Sequence, residues 1–232
     1  MVGTHFYDGE FQMATVVVTG ASRGIGLELC RAYQNRGDSV VAVCRSVTDE
    51  LKALGVEVVE GIDVAATDAG TRLAAALGGR RVDVLINNAG VFGNNTLGEI
   101  DFDDVLRQYT VNAVAPLRIT EALLPSLGEG SKVAMITSRM GSITDNGSGG
   151  YYAYRMSKAA LNAAGVSLAR DLAPRGIAVV LLHPGFVQTR MVGFAGDITA
   201  QQAAEGLAAR IDELDLASSG GFRHSNGQNL PW

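Results

Sequence analysis

Six short, nearly continuous apolar runs punctuate the chain: ATVVVT (14–19), SVVAVC (39–44), VEVV (56–59), VDVLIN (82–87), KVAMIT (132–137) and IAVVLL (177–182). Longer stretches of helical period separate them. A strand that is apolar on both sides must be covered on both faces, and strands separated by helices pair through crossovers rather than hairpins. The alternation therefore predicts an α/β fold, a doubly wound parallel sheet of six to seven strands with helices on both faces. Helices fit at about 25–36, 66–77, 101–126, 154–173 and 199–213, and the terminal SSGGFRHSNGQNLPW reads as a short strand, a turn and a tail. The 232 residues contain no internal repeat or linker-like stretch, so one domain over 13–232 accounts for the pattern. MVGTHFYDGEFQ at 1–12 has no period and precedes a second methionine, Met13; it reads as an extension, an expression leftover or a mis-called start.

Composition removes several functions. A net charge of −5 argues against nucleic acid or anionic lipid as partner, so any anion site must be local. No run approaches the roughly 18 apolar residues of a membrane span, and no basic-then-apolar leader is seen; no membrane partner and a cytoplasmic location are expected. Cys30 and Cys44 lack metal-ligand spacing and read as buried reduced thiols. His5, His183 and His224 share no two-ligand spacing, so no metal site is expected.

Directly after the first run comes TGASRGIG, with Gly20, Gly24 and Gly26 leading into a helix. Strand, glycine turn and helix N-terminus together make an anion cradle. Unpaired N–H groups and the helix dipole face the turn, and missing side chains let a pyrophosphate approach. Placed after the first strand of a βαβ unit, this is a dinucleotide signature.

TGASRGIG, then NNAG at 87–90, Ser138, YAYRMSK and HPG at 183–185 resemble, in this order, the short-chain dehydrogenase/reductase family, and the resemblance covers residues 14–232. It implies a Rossmann fold and a nicotinamide-dependent oxidoreductase acting on a small carbonyl or alcohol. For the cofactor it implies contacts from Ser22 and Ile25 in the turn, from Asn88, Ala89 and Gly90, and from Pro184, Gly185, Val187 and Thr189 after the sixth strand. Asp63, with Val64 beside it, resembles the family's acid that bonds the adenine amino group, though a bare aspartate there could equally cap the following helix. DNGSGGYY and the terminal GFRHSNGQNLPW further resemble the C-factor-like and sniffer-like carbonyl reductases, a branch that also suggests a signalling protein with incidental chemistry.

An acid at the end of the second strand would hold a ribose 2′-hydroxyl, whereas a cation there accepts a 2′-phosphate. The run ends VAVCRS: no acid, and Arg45 at once, with Arg23 in the glycine turn as a second cation. Guanidinium matches phosphate geometry, so NADP(H) is expected over NAD(H).

Tyr154 and Lys158 stand one helical turn apart, hence on one face. At about 6 Å and an effective dielectric near 20, one positive charge favours phenolate by roughly 3 kcal/mol, about 2 pKa units. Tyr154 is thus the expected proton donor, with Lys158 also implied to hold the nicotinamide ribose. Tyr151 has Arg155 four residues on, but arginine does not exchange protons in this range. Ser138, at the end of the fifth run, resembles the serine that bonds the substrate oxygen; Ser142 is the less firmly aimed alternative. Asn112 sits inside a predicted helix, where asparagine is unfavourable. The matching family asparagine bends that helix and holds a proton-relay water. His183, ahead of a proline, reads as structural.

Two lips, 140–152 and 186–200, are expected to shape the substrate pocket. Met140, Tyr151, Tyr152, Phe186, Met191 and Phe194 make them apolar, without a dedicated cation, which favours small hydrophobic carbonyls. Apolar residues on more than one side of 101–126 and 154–173 suggest a homo-oligomer, a dimer before a tetramer.

Overall fold

The computed structural model describes residues 13–232; residues 1–12, where the extension is expected, lie outside the described residues. In chain order the strands are β1 (Thr15–Thr19), β2 (Ser39–Val43), β3 (Glu57–Val59), β4 (Val84–Asn87), β5 (Lys132–Ile136), β6 (Ala178–His183) and β7 (Phe222–His224). The α-helices are α1 (Gly24–Gln34), α2 (Asp49–Leu54), α3 (Ala69–Leu77), α4 (Phe102–Tyr109), α5 (Ala115–Ala122), α6 (Tyr152–Leu172) and α7 (Ala200–Asp212). The sheet order is β3-β2-β1-β4-β5-β6-β7 and every neighbouring pair is parallel. This is the expected Rossmann-type arrangement.

Each central strand feeds two cores, because successive side chains point to opposite faces. Val16 and Val18 join the core covered by α1, α2 and α7, and Val17 joins that of α3, α5 and α6. From β1 the chain winds outward to β2 and β3, then returns to the other side of β1 as β4. That reversal leaves a crevice at the carboxyl ends of β1 and β4.

Three details differ from expectation. The helix expected over 101–126 is interrupted: α4 ends at Tyr109, a π-turn spans Thr110–Val114, and α5 follows. Within it the Ala115 N–H reaches back to Thr110 O, and Pro116 brings no N–H to the helix that follows. The helix α2 was not expected. Its six residues are too few to show a period, yet Thr48 caps it through Leu51 N and Gly55 ends it in a left-handed conformation. Lastly, α6 begins at Tyr152, two residues early, after Tyr151 at φ +53°.

Candidate active site

The two loops leaving β1 and β4 press against each other, and their glycines are sterically required. A Cβ on Gly26 would stand 2.3 Å from Gly20 O and 2.6 Å from Asn88 Nδ2; one on Gly20 would stand 2.8 Å from Ala89 Cα. Gly20 and Gly24 also adopt φ of +68° and +56°, which residues with a side chain resist. Thr19, overlooked in the sequence, stitches the loops together. Its Oγ1 accepts from Asn88 N at 3.0 Å and Ala89 N at 3.2 Å, while Asn88 Nδ2 donates to Thr19 O at 3.0 Å. The available signal was a threonine ending an apolar strand just before the glycine turn.

A cleft of about 500 Å³ opens above this junction. Gly20, Arg23, Gly24, Ile25 and Gly26 line one wall, Asn88, Ala89 and Gly90 the floor, Tyr154 and Lys158 another wall, and Pro184 and Thr189 the far side. A side-chain-free cradle at a helix N-terminus, with a cation beside it, fits the diphosphate of a dinucleotide. Thr189 leans over the turn: its Cγ2 would be 3.6 Å from a Cβ on Gly24. A larger cavity, about 720 Å³, runs along α6 beside Leu216 and Trp232, but neither Tyr154 nor Lys158 lines it, so size does not mark the reactive site.

Lys158 is 5% exposed, donates from Nζ to Ile136 O at 2.9 Å, and stands 5.7 Å from the Tyr154 ring centroid. Burial pushes its ammonium down to about 8. Tyr154 keeps some exposure to the cleft, yet burial pushes its phenol up to about 12, with the Ser138 hydroxyl pulling the other way. Burial thus works against the lowering expected from Lys158. It disfavours the charged form of both groups. The outcome is a neutral phenol beside a weakly held ammonium proton.

Ser138 Oγ accepts from Met140 N at 3.2 Å, capping the 3₁₀ turn Arg139–Gly141. Ser142 Oγ instead accepts from Asp145 N at 3.0 Å, tied to the lip. Arg155 turns to Ser148 Oγ at 2.9 Å rather than serving Tyr151. Asn112, fully buried in the π-turn, accepts from Val91 N at 2.8 Å and donates to Val91 O at 2.9 Å and Ser157 Oγ at 3.0 Å. It thereby clamps the segment after NNAG against α6. His183 lies outside the cleft, edge-on to His224 with centroids 4.9 Å apart, and burial pushes it down to about 3.

Several expected contacts do not line the cleft. Ser22 O accepts from Thr48 Oγ1 at 2.8 Å. Val187 is buried in a bridge with Ile198, and Gly185, at φ +97°, packs toward Ile198 and His224. Val64 sits beside Thr19 and Ala89 under the floor. Asp63 is exposed, and its Oδ1 accepts from Ala65 N at 3.0 Å; it caps its own turn, while Asp68 occupies the N-cap position of α3. Arg45 is exposed just past β2 and, like Arg23, has no ion pair among the described residues.

The lips need correction as well. Of the six apolar lip residues, only Met191 and Phe194 line the cleft, joined by Phe92. Phe92 meets Tyr154 edge-on at 4.9 Å and Tyr151 at 5.7 Å. Contrary to expectation the lining includes further cations, Arg107 and Arg190.

Residues 14–206 match the family described as short chain dehydrogenase, and the chain belongs to that family. It is 43% identical to the 1-hydroxy-2-glutathionyl-2-methyl-3-butene dehydrogenase of Rhodococcus sp. (strain AD45) over 95% of this chain and 100% of the relative. It is 51% identical to C-signal of Myxococcus xanthus over 65% of this chain and 93% of that protein. Among solved structures it resembles the carbonyl reductase Sniffer of D. melanogaster, with a TM-score of 0.87 and 31% identity over 95% of this chain and 100% of that one. A carbonyl reductase from Pseudomonas aeruginosa PAO1 in complex with NADP gives a TM-score of 0.81 at 34% identity, with the same coverage. The protein is thus an oxidoreductase of the short-chain type, similar to carbonyl reductases.

Proposed function

We propose that residues 13–232 form one catalytic domain that reduces an aldehyde or ketone with an apolar body, using NADPH, and runs the alcohol oxidation in reverse. The carrying observation is Tyr154 and Lys158 in the wall of a cleft whose opposite wall is the glycine turn. Gly20, Gly24, Gly26, Asn88, Ala89, Gly90, Pro184 and Thr189 would hold the dinucleotide, with Arg23 and Arg45 toward a 2′-phosphate. When bound, that cofactor supplies the hydride. Tyr154, protonated throughout the neutral range, donates its proton to the substrate oxygen, and Ser138 donates a hydrogen bond to the same oxygen as its negative charge grows. Lys158 orients the ribose and favours recovery of the phenolate's proton, while Asn112 holds the floor against α6.

The NADP complex of the Pseudomonas reductase supports the cofactor, and the Rhodococcus relative, named for a dehydrogenase, supports the reversible direction. The C-signal relative favours a second reading, a signalling protein that binds the dinucleotide with incidental catalysis. Oxidation of NADPH, followed at its absorbance with a panel of aldehydes and ketones, separates the two. Steady turnover supports the reductase; tight binding without turnover of any member supports the signalling reading. Exposed Phe102, Leu106 and Leu117 on α4 and α5, with Met156 on α6, are the surface through which two copies would pair, and a monomeric mass by light scattering would reject that pairing.

A further inference from the structure

Among the described residues, those lining the cleft include four cations, Arg23, Arg107, Lys158 and Arg190, and no aspartate or glutamate, in a chain whose net charge is −5. Two of the four have a use in the reading above: Arg23 stands at the start of α1 beside the glycine turn, and Lys158 beside Tyr154. Arg107 is already tied through Nε to Asp104 at 3.0 Å. Arg190 has no use in that reading, although it shares its lack of an ion pair with Arg23. It is exposed and makes no ion pair and no side-chain hydrogen bond among the described residues.

The loop that presents Arg190 is braced. Val192 N and Phe194 N both donate to Thr189 O, at 3.2 and 2.8 Å, and Gly193 N donates to Arg190 O at 3.2 Å. At its base, Val187 bridges Ile198, and Asp197 N donates to Phe186 O at 2.8 Å. Phe194 is held at φ +62°, one of two non-glycine residues with positive φ among the described residues. Such a conformation persists only where surrounding bonds impose it, and it is concentrated at ligand clamps. Its ring and Met191 line the cleft beside Arg190. An unpaired guanidinium carried on a braced loop beside apolar side chains matches an amphipathic molecule with an anionic end, since guanidinium pairs with carboxylate in bidentate fashion.

We propose that Arg190 receives a carboxylate at the end of the substrate remote from its carbonyl, so that the preferred substrates are apolar oxo acids rather than neutral carbonyls. This rests on the reductase reading of the same cleft. The test compares ω-oxo carboxylates of graded chain length with n-alkanals of equal length, at saturating NADPH, in the unmodified protein, Arg190→Ala and Arg190→Lys. At least one oxo acid should exceed its neutral counterpart in kcat/KM by about tenfold, the effect of one charge-assisted contact. Arg190→Ala should abolish that preference, Arg190→Lys should restore part of it, and raised salt should erode it. Alkanals should lose far less, and NADPH affinity by fluorescence titration should stay within roughly a factor of three, well short of a lost phosphate contact.

Equal kcat/KM for oxo acids and alkanals would overturn the proposal. So would an Arg190→Ala variant that weakens NADPH binding and slows both series alike, since the arginine would then serve the cofactor. If no carbonyl turns over, calorimetric titration of an ω-hydroxy acid into the NADP-loaded protein separates the two ideas. Binding that needs Arg190 would uphold the anion site while the reductase reading fell; binding indifferent to Arg190 would overturn the anion site too.

Discussion

Two glycines, Gly26 in the wall of the cleft and Gly147 in the exposed loop before α6, show how differently the two regions are built. A Cβ on Gly26 would overlap the backbone of Gly20 and the side chain of Asn88, whereas one on Gly147 would meet nothing within 4 Å. Around Gly26 the chain is interlocked: Thr19, Asn88 and Ala89 share hydrogen bonds, and Lys158 and Asn112 pin what lies behind. Around Gly147 the residues are exposed, Ile143 at 81%, and the loop after β6 exposes Phe194 at 66%. The wall tolerates almost no change of shape, while the exposed loops tolerate a great deal. Chemistry common to a whole family can therefore reside in the wall.

Gly26→Ala should break the wall with the largest effect. Overpacking typically costs about 1–3 kcal/mol, and here it falls on the cradle itself, so NADPH affinity should drop by about tenfold or more as the melting temperature falls. Calorimetric titration and thermal denaturation of the same sample would check both. An alanine variant with unchanged affinity would contradict the close packing described.

Lys158→Met should divide its effects. Turnover and cofactor affinity should fall, yet the cofactor-free protein should gain stability at neutral pH, because a buried ammonium is replaced by an apolar chain. The pH dependence carries the signature. Lys158 is lowered from 10.5 to about 8, so between these values the unfolded chain binds more protons and stability rises with pH, by about 3 kcal/mol at most. Tyr154 works in the opposite sense above pH 10, since its phenol is raised from 10.0 to about 12. Urea denaturation between about pH 8 and 9.5 should thus show a stability rise that Lys158→Met lacks.

Arg45→Asp moves outward to the exposed rim, where the effect should be narrower. NADPH binding should weaken by about ten- to a hundredfold while NADH binding changes little, because the contact proposed for Arg45 with a 2′-phosphate would become repulsive. Preference of the unmodified protein for NADH in parallel titrations would reject this. Gly147→Ala should do least. Stability should stay within about 0.5 kcal/mol of the unmodified protein. A large loss of stability there would erase the contrast between wall and loop.

How much of this was legible in the sequence follows the same division. The strands announced themselves through unbroken apolar runs, and the wall through glycines and the Tyr154–Lys158 spacing, because tight packing restricts residue type. The helix α2 was hidden by its length, and the break at Thr110–Val114 showed only as one misplaced asparagine, Asn112. Phe92 and Arg107 were missed because their part in the cleft depends on how the β4 loop and α4 fold back over it. Arg190 stands inside the second expected lip and was passed over, because a lone arginine in an apolar stretch carries no signal until its loop is seen to be braced and its guanidinium unpaired. The sign of the Tyr154 shift was out of reach for a different reason. Coulomb attraction can be estimated from spacing, but desolvation depends on everything packed around the pair.

The central claim is that Tyr154, and not its neighbour Tyr151, gives the proton. Single-turnover oxidation of bound NADPH by a reactive aldehyde, in Tyr154→Phe and Tyr151→Phe, tests it most directly, because it reads the chemical step apart from binding and release. The ring of Tyr154 packs against Phe92, so its phenylalanine variant should keep the fold and most of the NADPH affinity. Its rate should fall by about 10²–10⁴, the usual effect of a lost general acid. Tyr151→Phe should react at close to the unmodified rate. A Tyr151→Phe enzyme that cannot react, beside a Tyr154→Phe enzyme that can, would contradict the assignment and with it the roles given to Ser138 and Lys158.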